Sequence, residues 1–267
     1  MKRLLSLSTA LLVVASLAGC DNSNPEDEAP QLIAPDLFEV DTNFFSTAPT
    51  ASAKVESKEH FINGALRVWP VSVVVSASLI LPAAVTNAAL QDEPEFVDGA
   101  WRWESTATFN ANSVTFGLNA EPERNGHNWS AVLSYYDAGS QSQLDNFELY
   151  SGRTQNGGTE GNWSLYLPIE GVSTNVLNAD FVRDSETDKS ITFSIPATAD
   201  ENAGDSVTYT VDGDSRLFIW TQVGQGVTHT VEWNDATGEG SITATNYNGG
   251  QKACWDSNQD DIPCPIG

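Results

Sequence analysis

Basic residues are scarce in this chain: 12 Lys and Arg stand against 36 Asp and Glu, a net charge of −24. That balance excludes nucleic acid as a partner, because holding phosphates takes clustered Lys and Arg. It also excludes an electrostatic hold on an anionic bilayer, which needs basic residues too. The chain has three histidines, His60, His127 and His229, in unlike contexts and without metal-ligand spacing. It has no Gly-x-Ser-x-Gly elbow, no His-Glu-x-x-His pair and no phosphate loop. Carboxylates are so frequent that no pair singles itself out as acid and base. The expectation is therefore a protein that is not an enzyme. The plain reading of the acidity is solubility, and the sharper one is a surface site for a divalent cation.

What is present begins with the leader. Met1-Lys2-Arg3 is followed by an apolar run from Leu4 to Ala18, too short to span and stay, and then by small residues. This pattern describes a secretory signal over residues 1–19. Its ending, Leu17-Ala18-Gly19-Cys20, resembles the lipobox of bacterial lipoproteins. The resemblance implies cleavage before Cys20 and acylation of its sulfur, so that the membrane becomes a partner through a lipid anchor. The implied location is the bacterial cell envelope, with the outer membrane or cell surface preferred. Asp21, directly after the cysteine, resembles the inner-membrane retention signal of enteric bacteria, so the choice of membrane stays open. With Cys20 carrying lipid, Cys254 and Cys264 are left as a pair, and an exported protein meets an oxidising compartment in which they bridge.

Residues 20–53 are rich in Asp, Glu, Asn, Pro, Ser and Thr and read as an acidic tether that holds a domain away from the bilayer. Scattered apolar residues such as Leu32, Leu37, Phe38, Phe44 and Phe45 predict that part of it docks on that domain. Residues 54–267 read as one β-rich domain. Within it, 68–91 holds no charged residue. Its length permits a membrane span, but Pro82 and several Ser, Thr and Asn residues argue against one. The expectation is two short buried helices, with Pro70 and Pro82 each near a helix start, where a missing N–H costs little. A buried strand at Val71–Val75 is the competing local reading.

From Glu95 onward the pattern has period two, which marks strands with one buried and one wet face. Trp101 and Trp103 open the series; Trp129, Ala131 and Leu133, then Trp163 and Leu165, then Ile191 and Phe193 continue it. Leu217 and Ile219 are assigned inward, leaving Trp220 on the outer face. Turn signals such as Asn156-Gly157-Gly158 and Asp212-Gly213-Asp214 separate the runs. Short connections predict antiparallel neighbours, about ten to twelve strands in all. The fold expected is mostly β: an antiparallel meander curled into a barrel or half-barrel, its apolar side closed by the helical segment. A two-sheet β-sandwich is the alternative.

Three features are candidates for function. Asp256, Asn258 and Asp260 have a spacing that points three oxygens at one hard cation, with Asp261 a fourth. The stretch resembles the first half of calcium loops in EF-hand and thrombospondin-type repeats, which implies Ca²⁺. It departs from them where Asp261 replaces Gly and Cys264 stands in place of an acid. The competing reading is an acidic turn, 254–264, closed by a Cys254–Cys264 disulfide that staples the C-terminus. Eight tryptophans are many for 267 residues; two of them exposed and coplanar would suit a surface carbohydrate-binding lipoprotein. Finally, a curved sheet with an apolar helical lid resembles in architecture the lipoprotein carriers of the Gram-negative envelope, which implies an apolar ligand inside. A lining of Trp101, Trp103, Leu133, Trp163 and Phe181 is expected for such a cavity, and a solid core is the competing outcome.

Overall fold

The computed structural model describes residues 28–32, 35–46, 57–89, 91–169, 171–197 and 202–265. The leader 1–19 and the acylation candidate Cys20 lie outside the described residues. Just over half of the described residues lie in fourteen strands, so the mostly β class holds. The fourteen strands are β1 (Glu95–Val97), β2 (Ala100–Phe109), β3 (Asn112–Glu123), β4 (Gly126–Asp137), β5 (Ser142–Gln155), β6 (Glu160–Ile169) and β7 (Val172–Ser185), then β8 (Asp188–Ser194), β9 (Ser206–Asp212), β10 (Ser215–Gln222), β11 (Val227–Asn234), β12 (Gly240–Ala244), β13 (Ala253–Trp255) and β14 (Asp261–Ile262). They form a single antiparallel sheet in which every strand pairs with its chain neighbour. The sheet does not close, as β1 and β14 remain its two ends. The count exceeds the expected ten to twelve because β1, β13 and β14 are too short to show alternation.

Among the described residues there are two α-helices, α1 (Asn43–Ser46) and α2 (Glu59–Ala89). The expected pair of short buried helices is corrected on two points. The segment is one helix of 31 residues, and Pro70 and Pro82 lie inside it. Pro70 removes the hydrogen bond to the Leu66 carbonyl, but both residues are exposed, so water can take the donor's place. Burial is also one-sided. Phe61, Val68, Ser72, Val75, Val85, Thr86 and Ala89 face the sheet, whereas Ile62, Leu66, Trp69, Val73 and Val74 face out. An open sheet has only one concave side and can cover only one helix face. Among the described residues no helix is long and apolar enough to cross a membrane.

Helix α2 touches β2 and β3 near one end of the sheet and β11 to β14 near the other. One helix thus spans the open sheet from end to end, an arrangement consistent with a half-barrel or a sandwich. Local chemistry assists bending of the sheet. In five cross-strand pairs among the described residues an aromatic residue faces a glycine: Gly152 with Trp129 and Trp163, Gly161 with Phe181, and Gly240 with Trp233 and Trp255. A Cβ built at Gly240 lies 2.2 Å from the Trp255 ring, so the ring lies down on bare backbone. Bulges at Ala131/Val132, Leu133/Tyr135 and Leu165/Tyr166 add local bends.

Part of the expected tether is packed. Leu37 and Val40 are buried, Phe45 sits 5.0 Å from Trp233 between ring centroids, and Phe44 and Phe45 both pack on Phe61. The chain therefore joins the domain's core well before residue 53.

Candidate functional site

One transverse rung of the sheet organises the concave face. Following the pairing from β2 to β12 it runs Trp101, Ala120, Trp129, Gly152, Trp163, Ala179, Phe193, Val207, Trp220, His229 and Ala244. Large rings on β2, β4, β6, β8 and β10 alternate with small or β-branched side chains on β3, β5, β7 and β9. Such alternation lets wide side chains share one inner surface without collision. A second rung beside it reads Trp103, Leu118, Ala131, Tyr150, Leu165 and Leu177. Tyr150 and Leu165 are also where the sheet forks. β4 pairs β5 out to Ser142 and β6 pairs β7 out to Val172, but β5 pairs β6 only from Tyr150 to Gln155.

Over these two rungs and beneath the C-terminal half of α2 lies an apolar slot of about 70 Å³. Its floor is Leu118, Trp129, Tyr150, Trp163, Ser164, Leu165, Leu177, Ala179 and Phe193, its roof is Leu79, Ala83 and Thr86, and Leu32 and Phe38 flank it. The slot divides the interior. One buried cluster centres on β8 to β13, the other on β2 to β6, and Trp163 and Leu177 pack against both. The expected lining is only partly realised: Trp163 is there, while Trp101, Trp103 and Phe181 belong to the flanking clusters and Leu133 packs against one of them. Slot and rung were not legible from alternation because register across ten pairings decides them. The one available signal is the recurring Asn128-Trp129-Ser130 and Asn162-Trp163-Ser164, which set both tryptophans on the same rung, two strands apart.

Few polar groups reach this space. The Tyr150 hydroxyl lies 3.5 Å from the Thr86 hydroxyl, and burial pushes its pKa up to about 12, so it stays protonated and able to donate. The Trp129 indole N–H donates to Thr154 Oγ1 at 2.8 Å. The Trp163 indole N–H is buried and has no hydrogen-bond partner among the described residues. A slot with so apolar a lining is suited to holding an apolar group, and no acid–base pair stands among its described lining.

No family model, curated protein or solved structure matches this chain. The assignment of its sites therefore rests on geometry.

The calcium candidates sit together at the sheet's last turn, with their oxygens directed at protein donors. Asp256 Oδ1 accepts the backbone N–H groups of Asn258 at 2.8 Å and Asp260 at 3.0 Å. Asp260 pairs with Lys58 at 2.9 Å. Asp261 accepts the N–H groups of Glu59 at 3.2 Å and His60 at 2.9 Å, capping the start of α2. Lys58 also donates to the Asn258 carbonyl. Cys254 and Cys264 are bridged, with Cα atoms 5.1 Å apart, and close this turn. The turn thus fastens the C-terminus to the N-terminus of α2. Among the described residues no group of three or more His, Cys, Asp or Glu side chains is placed to hold a metal.

The tryptophans form no surface platform. Of the eight, only Trp69 is exposed, at 59%. Trp220, expected on the outer face, is corrected: β10 has the opposite phase, with Phe218 fully buried and Trp220 packed against the core 5.0 Å from His229. Leu217 and Ile219 take the outer face. Both faces of β10 carry large apolar residues, so periodicity alone could not choose between them.

His229 is a hydrogen-bonded core residue. Its Nδ1 accepts from Arg67 Nε at 3.0 Å, and its Nε2 lies 3.1 Å from the Gln222 carbonyl oxygen, which selects the neutral Nε2–H tautomer. Burial and the Arg67 charge together lower its pKa. The native state thus favours the neutral ring, and the unfolded chain takes up a proton first as the pH falls. The stabilisation is complete above the ordinary histidine value of about 6.5 and is lost as pH drops below it. The expected result is a fall in urea midpoint from pH 7.5 to 5.5 that is larger in the wild type than in His229→Gln. An equal fall in both would show that His229 does not contribute.

Proposed function

We propose that this is a lipid-anchored protein of the bacterial cell envelope, held at Cys20, whose half-barrel is a non-catalytic module gripping a slender apolar ligand under helix α2. The observation that carries the ligand reading is the slot itself. A solid interior would have joined the two core clusters, whereas here a gap lies between them and, among the described residues, only Trp163 and Leu177 pack against both. Its size admits part of one hydrocarbon chain and is too narrow for a sugar ring stacked between tryptophans. The anchor rests on Leu17-Ala18-Gly19-Cys20, and the outer membrane or cell surface is the preferred location.

The test is organic extraction and mass spectrometry of protein purified from its native membranes. It reads the acyl group on Cys20 and any co-purified ligand independently. Ala83→Trp, which places an indole into the slot from its roof, is expected to abolish both co-purification and binding of a fluorescent fatty acid. Wild-type protein that yields no ligand and binds no fatty acid would overturn the slot reading and leave the anchor reading to its own measurement.

A further inference from the structure

Helix α2 is apolar on both sides, and only one side is used. Ile62, Leu66, Trp69 and Val73 follow one another at helical spacing and fall within about 60° of the helix circumference. They are exposed by 47%, 64%, 59% and 47%, and from Val68 to Gln91 no charge interrupts the segment. Phe61, Val68, Ser72 and Val75 occupy the opposite side against the sheet. The Arg67 guanidinium is turned away from the stripe, bound to His229 and to the Asn63 carbonyl.

We infer that this stripe lies on the surface of the bilayer that carries the anchor, with Trp69 at the level of the headgroups. The inference rests on the anchor reading given above. Its geometry comes from where the chain joins the domain. Leu32 already lines the slot beside Leu79 and Ala83. The twelve residues from Cys20 to Leu32 span at most about 40 Å. From Leu79 back to Trp69 is only about 15 Å along the helix axis. A lipid on Cys20 therefore keeps the stripe within reach of the membrane. An uncharged apolar stripe with one tryptophan fits an interface whose driving force is burial of apolar area. The acidic remainder of the protein opposes anionic headgroups, so zwitterionic lipid is the surface this face fits. A second copy of the chain is the competing occupant and is read by the same experiment.

The experiment replaces the natural anchor so that the two readings can fail separately. The mature chain, with a hexahistidine tag at position 20 in place of the cysteine, is held on phosphatidylcholine vesicles that contain nickel-chelating lipid and brominated acyl chains. Bromine quenching of tryptophan fluorescence is expected in the wild type, to be lost in Trp69→Phe, and to be lost again in the double variant Leu66→Glu, Val73→Glu while circular dichroism stays unchanged. Equal quenching in wild type and Trp69→Phe, or none in the wild type, would overturn the inference. Dimerisation in solution abolished by the same double variant, with no quenching, would assign the face to a second copy. Acylation of Cys20 is read on the native protein by mass and does not enter this result.

Discussion

Replacing Trp255 with alanine is expected to lower the melting temperature by on the order of 10 °C. Trp255 is 1% exposed and lies between the end of the sheet and the start of α2. Glycines make room for it on both sides. A Cβ on Gly64 of the helix would sit 3.3 Å from one edge of the ring, and a Cβ on Gly240 of the neighbouring strand 2.2 Å from another. Phe61 meets it edge-on at 5.8 Å. Deleting the indole leaves a hole that neither glycine can fill, and buried Trp→Ala changes typically cost about 3–5 kcal/mol. The indole N–H has no partner among the described residues, so Trp255→Phe forfeits no hydrogen bond and should recover more than half of the loss. Thermal denaturation of the three proteins reads both statements. A shift under about 3 °C for the alanine variant would mean that α2 is not clamped here.

Gly152→Ala carries the second large expectation, and it touches the slot. Gly152 stands between Trp129 and Trp163 on the aromatic rung. A Cβ there would meet the Asn162 carbonyl at 2.3 Å and the Trp163 ring at 2.6 Å. Backbone cannot give way as a flexible side chain does, so β5 and β6 must part or the indole must swing. A cost of about 3 kcal/mol is expected. The functional consequence follows from direction. The displaced Trp163 ring moves into the slot, so fatty-acid binding should fall by about tenfold or more even where the variant remains folded. Unfolding midpoint and binding are to be measured on the same preparation. Unchanged binding in a destabilised but folded variant would separate Trp163 from the slot.

The strands were readable one at a time. Alternation at Trp101 and Trp103, at Trp129 and Ala131, and at Ile191 and Phe193 comes from burial of one sheet face, a local property of each run. It failed at β10, where Leu217, Phe218, Ile219 and Trp220 give both faces large apolar residues. It also failed on α2, where an uncharged stretch implies burial on all sides but a one-layer sheet supplies burial on one. The slot depends on which strands lie side by side and on how far each pairing extends, and these are properties of the whole sheet. The acidic turn shows a different gap. The spacing of Asp256, Asn258 and Asp260 is local, whereas Glu59, His60 and Lys58, whose donors meet Asp260 and Asp261, stand some two hundred residues earlier in the chain.

The fork between β5 and β6 has a consequence for how the protein meets other chains. Where the two strands diverge, each has a rim of backbone donors and acceptors outside the sheet's own ladder, within the sheet and not at its margin. Exposed rims of this kind recruit foreign strands. Here the composition opposes recruitment: Pro168 removes a donor from the β6 rim, and Asp145, Glu148 and the left-handed Asn146, at φ 47°, interrupt the β5 rim. The fork can therefore stand open beside the apolar slot without inviting strand-by-strand aggregation. Substitutions at Pro168 or Asn146 would be expected to show first as self-association, before any loss of fold.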